Sequence, residues 1–122
     1  MAKILIVDDD PATVELLSMA VQLKGHASIF AYNGLEALEK LETAGAELVL
    51  LDMMMPGMDG LETLTHIRQH DRYDGIPVVL VTASSDVSLD RRVIEAGGNG
   101  CLRKPVSMET LSATMSKHLS EA

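Results

Sequence analysis

The chain has 122 residues, 47% hydrophobic and only 2% aromatic, which suits a single domain over residues 1–122 with a core of aliphatic and methionine side chains. Its net charge of -8 argues against a direct contact with nucleic acid and against an anionic membrane surface, because both need a basic face. No signal-peptide pattern or membrane-length apolar stretch is present and the single cysteine excludes an internal disulfide, so we expect a cytoplasmic protein.

Three apolar runs of four residues predict the central strands. The runs are ILIV at 4–7, LVLL at 48–51 and VVLV at 78–81, and no polar residue interrupts them. Strands that are buried on both faces of a parallel sheet have this composition. Weaker strand patterns cover residues 27–31 and 100–103, which brings the number of predicted strands to five.

Helical periodicity follows each predicted strand. The apolar positions with this spacing are Val14, Leu17 and Val21; Leu38 and Leu41; Leu61, Leu64 and Ile67; Leu89, Val93 and Ala96; and Met108, Leu111, Met115 and Leu119. Capping residues precede four of the five segments, namely Asp10, Asn33, Asp59 and Ser107. The last helix is predicted to end near Ser120.

The predicted elements alternate, with one helix after each of five strands. This order is typical of the α/β class, in which helices cover both faces of a doubly wound parallel sheet through right-handed crossovers. Ligands bind such sheets at the edge where the strands end. The polar residues that follow the strands are therefore the candidate site residues.

Charged or hydroxyl side chains follow four of the five predicted strands. Asp8 and Asp9 follow the first, Asp52 ends the third, Thr82 the fourth and Lys104 the fifth. Each alone has an ordinary explanation as a cap, a turn residue or a surface group. Together they gather three carboxylates, and two such charges ~5 Å apart repel by about 3 kcal/mol at an effective dielectric constant of ~20. A divalent cation and a lysine would offset that repulsion.

Mg²⁺ suits these carboxylates better than Zn²⁺ or Ca²⁺. It accepts a few carboxylates, keeps several waters and bridges to phosphoryl oxygens. No set of cysteines and histidines has zinc-binding spacing. His66 and His70 are four residues apart on a predicted helix, but nothing nearby completes a metal site, so we interpret them as surface histidines.

Four motifs, in this order and spacing, resemble the receiver domain of response regulators, the chemotaxis-receiver-like family of two-component signalling. They are ILIVDDD at 4–10, LDMMMPGMDG at 51–60, VTA at 81–83 and RKP at 103–105. The resemblance extends over residues 3–119. It implies a flavodoxin-like fold with five helices and a five-stranded parallel sheet in the order 2-1-3-4-5.

The resemblance also implies a phosphorylation site that depends on Mg²⁺. Asp52 would accept the phosphoryl group from a phosphohistidine. Asp9 and Asp52 would bind Mg²⁺ directly, Asp8 would hold it largely through water, and the main-chain carbonyl of Met54 would complete the protein ligands. A carboxylate is chemically able to act as such a nucleophile.

Two further residues would act on the phosphoryl group itself. By the resemblance, Thr82 would hydrogen-bond to it, Lys104 would pair with the acceptor carboxylate or its phosphate, and the bond between Lys104 and Pro105 would be cis. The domain would be a phosphorylation-activated switch that catalyses only its own phosphorylation and dephosphorylation, and not a turnover enzyme.

The implied partners are a histidine kinase or histidine phosphotransfer protein, and a downstream protein target or fused output domain. Val14, Leu17 and residues 105–106 flank the expected site and would contact the donor, but a core position for Val14 and Leu17 is at least as well supported. Whether the receiver stands alone or belongs to a longer protein stays open. A small basic patch, which we interpret as solvated charges, would consist of Arg91, Arg92 and Arg103.

One position departs from the family pattern. Three residues before Lys104 the family usually has an aromatic residue, and this chain has Cys101. We interpret Cys101 as a small apolar strand residue and not as a redox sensor. Signal output would then use displacement of Thr82 and of residues 83–87 without a rotating ring.

Three alternatives compete with this interpretation. A degenerate receiver would act as a constitutive protein-binding module, although the set of site residues is intact. A phosphatase of the haloacid dehalogenase type would need a second aspartate two residues after the nucleophile, where Met54 stands. A flavodoxin-like FMN carrier would need hydroxyls and amides after the first strand, where Asp8, Asp9 and Asp10 would repel a phosphate.

Overall fold

The computed structural model describes residues 1–119, which form five strands, five α-helices and one short 3-10 turn at Asp71–Tyr73. The strands are β1 (Lys3–Val7), β2 (Ala27–Ala31), β3 (Leu48–Asp52), β4 (Val78–Thr82) and β5 (Gly100–Arg103). The helices are α1 (Pro11–Leu23), α2 (Gly34–Thr43), α3 (Gly60–Arg68), α4 (Ser88–Glu95) and α5 (Met108–His118). Helix α5 ends at His118, and Ser120, where its end was predicted, lies outside the described residues. None of the helices described in residues 1–119 has the length and hydropathy of a membrane-spanning segment.

The five strands form one parallel sheet in the order β2-β1-β3-β4-β5, which confirms the predicted fold class and strand order. Strands β1 and β3 are neighbours, and Val7 lies opposite Leu51. The next residue on each strand is an aspartate. The register therefore brings Asp8 and Asp52 to the same level at the carboxyl edge of the sheet.

Alternate residues of the strands point to opposite faces of the sheet and build two separate apolar clusters. On one face, Leu5, Val7, Leu51 and Leu80 pack with side chains from α2, α3 and α4. On the other face, the strand residues Ile4, Ile6, Leu50 and Val81 pack with Val14, Leu17, Val21, Leu111 and Met115 from α1 and α5. Val14 and Leu17 are therefore core residues, as one of the two interpretations predicted.

The predicted caps begin four of the helices. Asp10 accepts the Ala12 N–H at 3.1 Å at the start of α1, and Ser107 accepts the Thr110 N–H at 3.0 Å at the start of α5. The remaining two caps are Asn33, which accepts the N–H of Glu36, and Asp59, which forms a reciprocal capping box with Glu62. The Asp10 and Asp59 carboxylates thus have structural roles as helix caps.

Arg68, the last residue of α3, holds two connecting segments in place, the one between α3 and β4 and the one between α4 and β5. Its guanidinium donates to the carbonyl oxygens of Tyr73 and Ile76, each at 2.7 Å, and of Gly97 at 2.9 Å. It also donates to the side chain of Asn99 at 3.2 Å. Burial lowers the pKa of Arg68, yet these neutral acceptors satisfy its donors.

Candidate phosphorylation and metal site

Asp8 and Asp52 lie side by side at the carboxyl edge of the two central strands. Asp8 is 2% exposed and Asp52 is 4% exposed, which is unusual for aspartates. Asp8 is held in place by the Asp10 N–H, which donates to its Oδ1 at 2.9 Å. Carboxylates buried this deeply need a cation or hydrogen-bond donors to compensate for the loss of water.

Asp9 completes an acidic cluster with these two residues. Carboxylate oxygens of Asp8, Asp9 and Asp52 all lie within 4.8 Å of one another, and Asp9 is the exposed member. Asp10 turns away, because its carboxylate accepts the Ala12 N–H at 3.1 Å and the Thr13 hydroxyl at 3.0 Å. Three of the four aspartates that follow the two strands are thus brought together.

Lys104 supplies the compensating positive charge. Its Nζ donates to Asp8 Oδ2 at 3.0 Å and to Asp52 Oδ1 at 3.2 Å. The position of Lys104 is set by the Lys104 N–H, which donates to the Thr82 carbonyl oxygen at 2.8 Å where β4 and β5 end. The peptide bond between Lys104 and Pro105 is cis, as the resemblance implied.

Burial and the neighbouring charges shift the pKa values of Asp52 and Lys104. Burial and the neighbouring Asp8 charge raise the pKa of Asp52, while Lys104 and the N–H of Met54 partly oppose that rise. Burial lowers the pKa of Lys104, but hydrogen bonds to Asp8 and Asp52 and their charges outweigh it, so the pKa of Lys104 is raised. Lys104 therefore stays protonated beside two closely spaced carboxylates.

Thr82 ends β4 next to the acidic cluster and is fully buried. Its Oγ1 accepts the Ser84 N–H at 3.0 Å. Within residues 1–119 this hydroxyl donates no hydrogen bond to Asp52, so its proton is available to another acceptor at the strand edge. The four strand ends predicted to form the site do lie along one edge of the sheet.

Gly60, the first residue of α3, packs against the backbone at the end of β3, a role that the sequence pattern alone does not indicate. A Cβ atom at Gly60 would lie 2.6 Å from the main-chain oxygen of Asp52 and 2.8 Å from the Cα of Met53. The Gly60 N–H donates to the Met53 carbonyl oxygen at 2.9 Å. Only a residue without a side chain lets α3 approach the end of β3 this closely.

The acidic cluster fits a magnesium ion. Its candidate ligands are all carboxylate oxygens, which lie within 4.8 Å of one another. Two ligands about 2.1 Å from the same Mg²⁺ lie at most about 4.2 Å apart. Small rotations of the carboxylates would therefore bring all three within binding distance of one ion. The Met54 side chain is 68% exposed and its N–H faces Asp52, while the role of its carbonyl remains a prediction. His66 and His70 join no such cluster in the described part of the chain, and His70 packs edge-on against Tyr73.

Comparison with known proteins identifies the family. The family model described as "Response regulator receiver domain" matches residues 4–116. The chain belongs to the response regulator receiver domain family. The receiver is 44% identical, over 114 residues, to the transcriptional regulatory protein CpxR homolog of Haemophilus influenzae, which covers 93% of this chain and 48% of that protein. It is 36% identical over 114 residues to the transcriptional regulatory protein TrcR of Mycobacterium tuberculosis, which covers 93% of this chain and 43% of that protein.

A solved structure shows the same fold over its whole length. The chemotaxis protein CheY4 of Vibrio cholerae superimposes with a TM-score of 0.92 at 31% identity, covering 98% of this chain and 99% of that chain. By contrast, the receiver spans only about half the length of the CpxR homolog and of TrcR. The family match and the intact set of site residues do not support a degenerate receiver, a phosphatase or an FMN carrier.

At the position of β5 where the resemblance implies an aromatic residue, the receiver has Cys101, which is half-buried. Burial raises the pKa of the Cys101 thiol, although Arg103 partly opposes the rise. Arg103 itself donates to Cys101 Sγ at 2.9 Å and to Asp90 Oδ2 at 2.7 Å. The interpretation of three solvated arginines therefore holds for the exposed Arg91 and Arg92, whereas Arg103 is paired.

An apolar groove of about 560 Å³ lies beside the site, between α1 and the segment that follows β5. Its walls include Leu16 and Ala20 of α1, Pro105, Val106 and Met108. Leu16 is 67% exposed. Leu17 also lines the groove but is mostly buried, as its predicted core position requires, and Val14 lies outside the groove in the core. Lys104 lines the groove as well and connects it to the acidic cluster.

Proposed function

We propose that this receiver accepts a phosphoryl group on Asp52 from a phosphohistidine donor and changes conformation in response. The observation that carries the proposal is the buried Asp52 carboxylate, which shares Lys104 with Asp8 at the carboxyl edge of the sheet. An unused buried carboxylate beside a second one would only destabilise the fold. A role in chemistry explains why the pair is there.

The proposed reaction is a transfer between two residues. An oxygen of the ionised Asp52 carboxylate attacks phosphorus, and the bond from phosphorus to the donor imidazole nitrogen breaks. The electron pair of that bond leaves with the imidazole, and Asp52 becomes an acyl phosphate. Lys104 then pairs with one phosphoryl oxygen, and the Thr82 hydroxyl donates a hydrogen bond to another. Such a reaction needs positioning and charge neutralisation more than covalent chemistry from the protein.

Asp8, Asp9, Asp52 and the main-chain carbonyl of Met54 are the proposed ligands of Mg²⁺. When bound, the ion supplies positive charge to the phosphoryl oxygens during transfer. Asp9, the exposed member of the cluster, faces the solution from which the ion enters. Asp8 is held by Lys104 and by the Asp10 N–H, which orients its carboxylate toward the cluster.

The apolar groove beside Lys104 is the proposed docking surface for the donor. A histidine kinase or histidine phosphotransfer protein must bring its phosphohistidine to Asp52, and the groove wall formed by Leu16, Pro105 and Val106 adjoins that edge. Apolar surface of this kind is typical of protein interaction sites. Contact there would hold the donor in line with the acceptor carboxylate.

The proposed output is control of a downstream protein or of a fused output domain, from the cytoplasm. The receiver, proposed as one domain over residues 1–122, spans about half the length of relatives that are named as transcriptional regulatory proteins. It acts as a switch that catalyses only its own phosphorylation and dephosphorylation. It does not turn over small phosphate esters.

Intact-mass measurement after incubation with Mg²⁺ and a small acyl phosphate tests the proposal. We expect one added phosphoryl group on the wild-type chain and none in Asp52→Asn or in excess EDTA. The matched control is Asp59→Asn, which changes an aspartate that caps α3 and should still be labelled. Labelling of Asp52→Asn, or steady release of phosphate from esters, would contradict the proposal.

A further inference from the structure

Arg103, at the end of β5, joins the last strand to α4 and to the loop that precedes it. Its Nη2 donates to the Asp86 carbonyl oxygen at 2.9 Å and to Asp90 Oδ2 at 2.7 Å, while its Nη1 donates to Cys101 Sγ at 2.9 Å. A single guanidinium thus contacts its own strand, the loop and the helix.

A continuous series of hydrogen bonds leads from this guanidinium back to Thr82. The Ser84 N–H donates to Thr82 Oγ1 at 3.0 Å, and the Asp86 N–H donates to Ser84 Oγ at 3.1 Å. The Asp86 carbonyl oxygen then accepts from Arg103. Thr82 also lies opposite Arg103 in the pairing of β4 with β5. The position of the Thr82 hydroxyl is therefore tied to the guanidinium through only two loop residues.

We propose that Arg103 is a positioning residue for Thr82. Through its contacts with Asp86 and Asp90, Arg103 holds the loop at residues 83–87 and α4 in the unphosphorylated arrangement. The proposal rests on the proposed phosphorylation of Asp52. When Thr82 turns toward a phosphoryl group, the Ser84 N–H loses its acceptor and the loop moves. The Asp86 carbonyl oxygen then leaves Arg103, and α4 is released from β5.

The ion pair between Arg103 and Asp90 is weak enough to break when the receiver switches conformation. The Arg103 side chain is 33% exposed and that of Asp90 is 54% exposed, and ion pairs with such exposure are weak. A contact of this kind can break when a phosphoryl group favours the other arrangement. The Arg103 guanidinium also sets the relative positions of Asp86 and Asp90, because it is planar and presents its donors in a rigid fork that lysine lacks.

Amide spectra recorded with and without Mg²⁺ and beryllofluoride, which mimics a phosphoryl group on Asp52, test the proposal. In the wild type, beryllofluoride should shift the amide signals of Ser84, Asp86 and Val93. In Arg103→Gln without beryllofluoride, these signals should already lie displaced toward the wild-type bound positions. Beryllofluoride should bind Arg103→Gln about threefold tighter or more, because removing a contact of the free state lowers the apparent dissociation constant.

The matched control is Arg91→Gln, which changes an exposed arginine of α4 next to Asp90 and should keep wild-type signals and affinity. Asp90→Asn, which weakens the same contact from the helix side, should shift the signals in the same direction by less. Free-state signals of both Arg103→Gln and Asp90→Asn at wild-type positions, with unchanged affinity, would overturn the inference and leave phosphorylation of Asp52 standing. A wild-type chain that does not bind beryllofluoride would instead contradict the proposed function.

Discussion

The ammonium nitrogen of Lys104 lies 3.2 Å from Oδ1 of Asp52, although 52 positions separate the two residues in the chain. The parallel sheet creates this contact, because it brings the ends of β3 and β5 to the same edge. Lys104 also contacts Asp8, so a single cation serves two buried carboxylates. Stability and reactivity of the receiver should therefore respond together to changes at this pair.

Replacement of Lys104 by methionine should destabilise the receiver. The change leaves Asp8 and Asp52 without their cation, and unpaired buried charges cost on the order of 2 kcal/mol in the free energy of unfolding. Urea denaturation at neutral pH in EDTA measures the loss, and added Mg²⁺ should restore part of it. Lys117→Met, at an exposed position of α5, is the control and should change stability by less than about 0.5 kcal/mol. Equal stability of the two variants would contradict the role of Lys104.

Replacement of Asp52 by asparagine should stabilise the receiver at neutral pH. Burial and the Asp8 charge raise the pKa of Asp52, so the folded state binds a proton more tightly than the unfolded state does. The wild type therefore loses stability as the pH rises from the unfolded pKa of about 3.9 through the raised folded pKa. Thermal unfolding at several pH values should show that Asp52→Asn gains most above that window and little below it. A gain in stability of Asp52→Asn that is the same at every pH would contradict this prediction.

Replacement of Gly60 by alanine should destabilise the receiver, since the new Cβ would lie 2.6 Å from the Asp52 carbonyl oxygen. We expect a loss of about 2 kcal/mol, as is usual when a group is forced into a packed site. Gly75→Ala is the control, because a Cβ there has no atom within 4 Å. Urea denaturation of both variants distinguishes a steric effect from a general effect of losing glycine. A similar small change in both would contradict the close approach of α3 to β3.

Replacement of Arg68 by methionine should cost about 2 kcal/mol of unfolding free energy, because the partly buried carbonyl oxygens of Tyr73 and Ile76 lose their donors. Arg68→Lys should recover only part of the loss, since an ammonium group cannot reach the same set of acceptors. Arg91→Met tests whether any arginine would have this effect, and it should be nearly neutral at its exposed position. Phosphorylation of Asp52 should persist in Arg68→Lys wherever the chain is folded.

The sequence was sufficient for the strands, the caps and the acidic cluster. Apolar runs without polar interruption indicate strands buried on both faces, and a parallel sheet necessarily brings their ends together. For that reason Asp8, Asp52 and Lys104 could be assigned to one site before any distance was known. The burial of Val14 and Leu17 was predicted equally with exposure, because a helical stripe alone does not show which neighbour covers it.

Roles that depend on distant acceptors could not be predicted. Arg103 contacts Asp86 and Asp90, which are 17 and 13 positions away, and nothing in the local sequence pairs it with them. Arg68 likewise bonds to loops up to 31 positions away. The need for glycine at Gly60 arises from the approach of one backbone to another, which composition does not encode. Tertiary structure therefore decided the functions of these three residues.

The most direct test of the central claim is one experiment that identifies the phosphorylated residue and measures whether its phosphorylation requires the acidic cluster. Borohydride reduces an acyl phosphate to an alcohol, so peptide mapping after Mg²⁺, acyl phosphate and borohydride identifies the labelled aspartate. The account predicts modification of Asp52 alone, loss of it in Asp9→Asn, and retention in Asp10→Asn, which keeps its α1 cap. Modification of a different aspartate, or full labelling of Asp9→Asn without Mg²⁺, would contradict it.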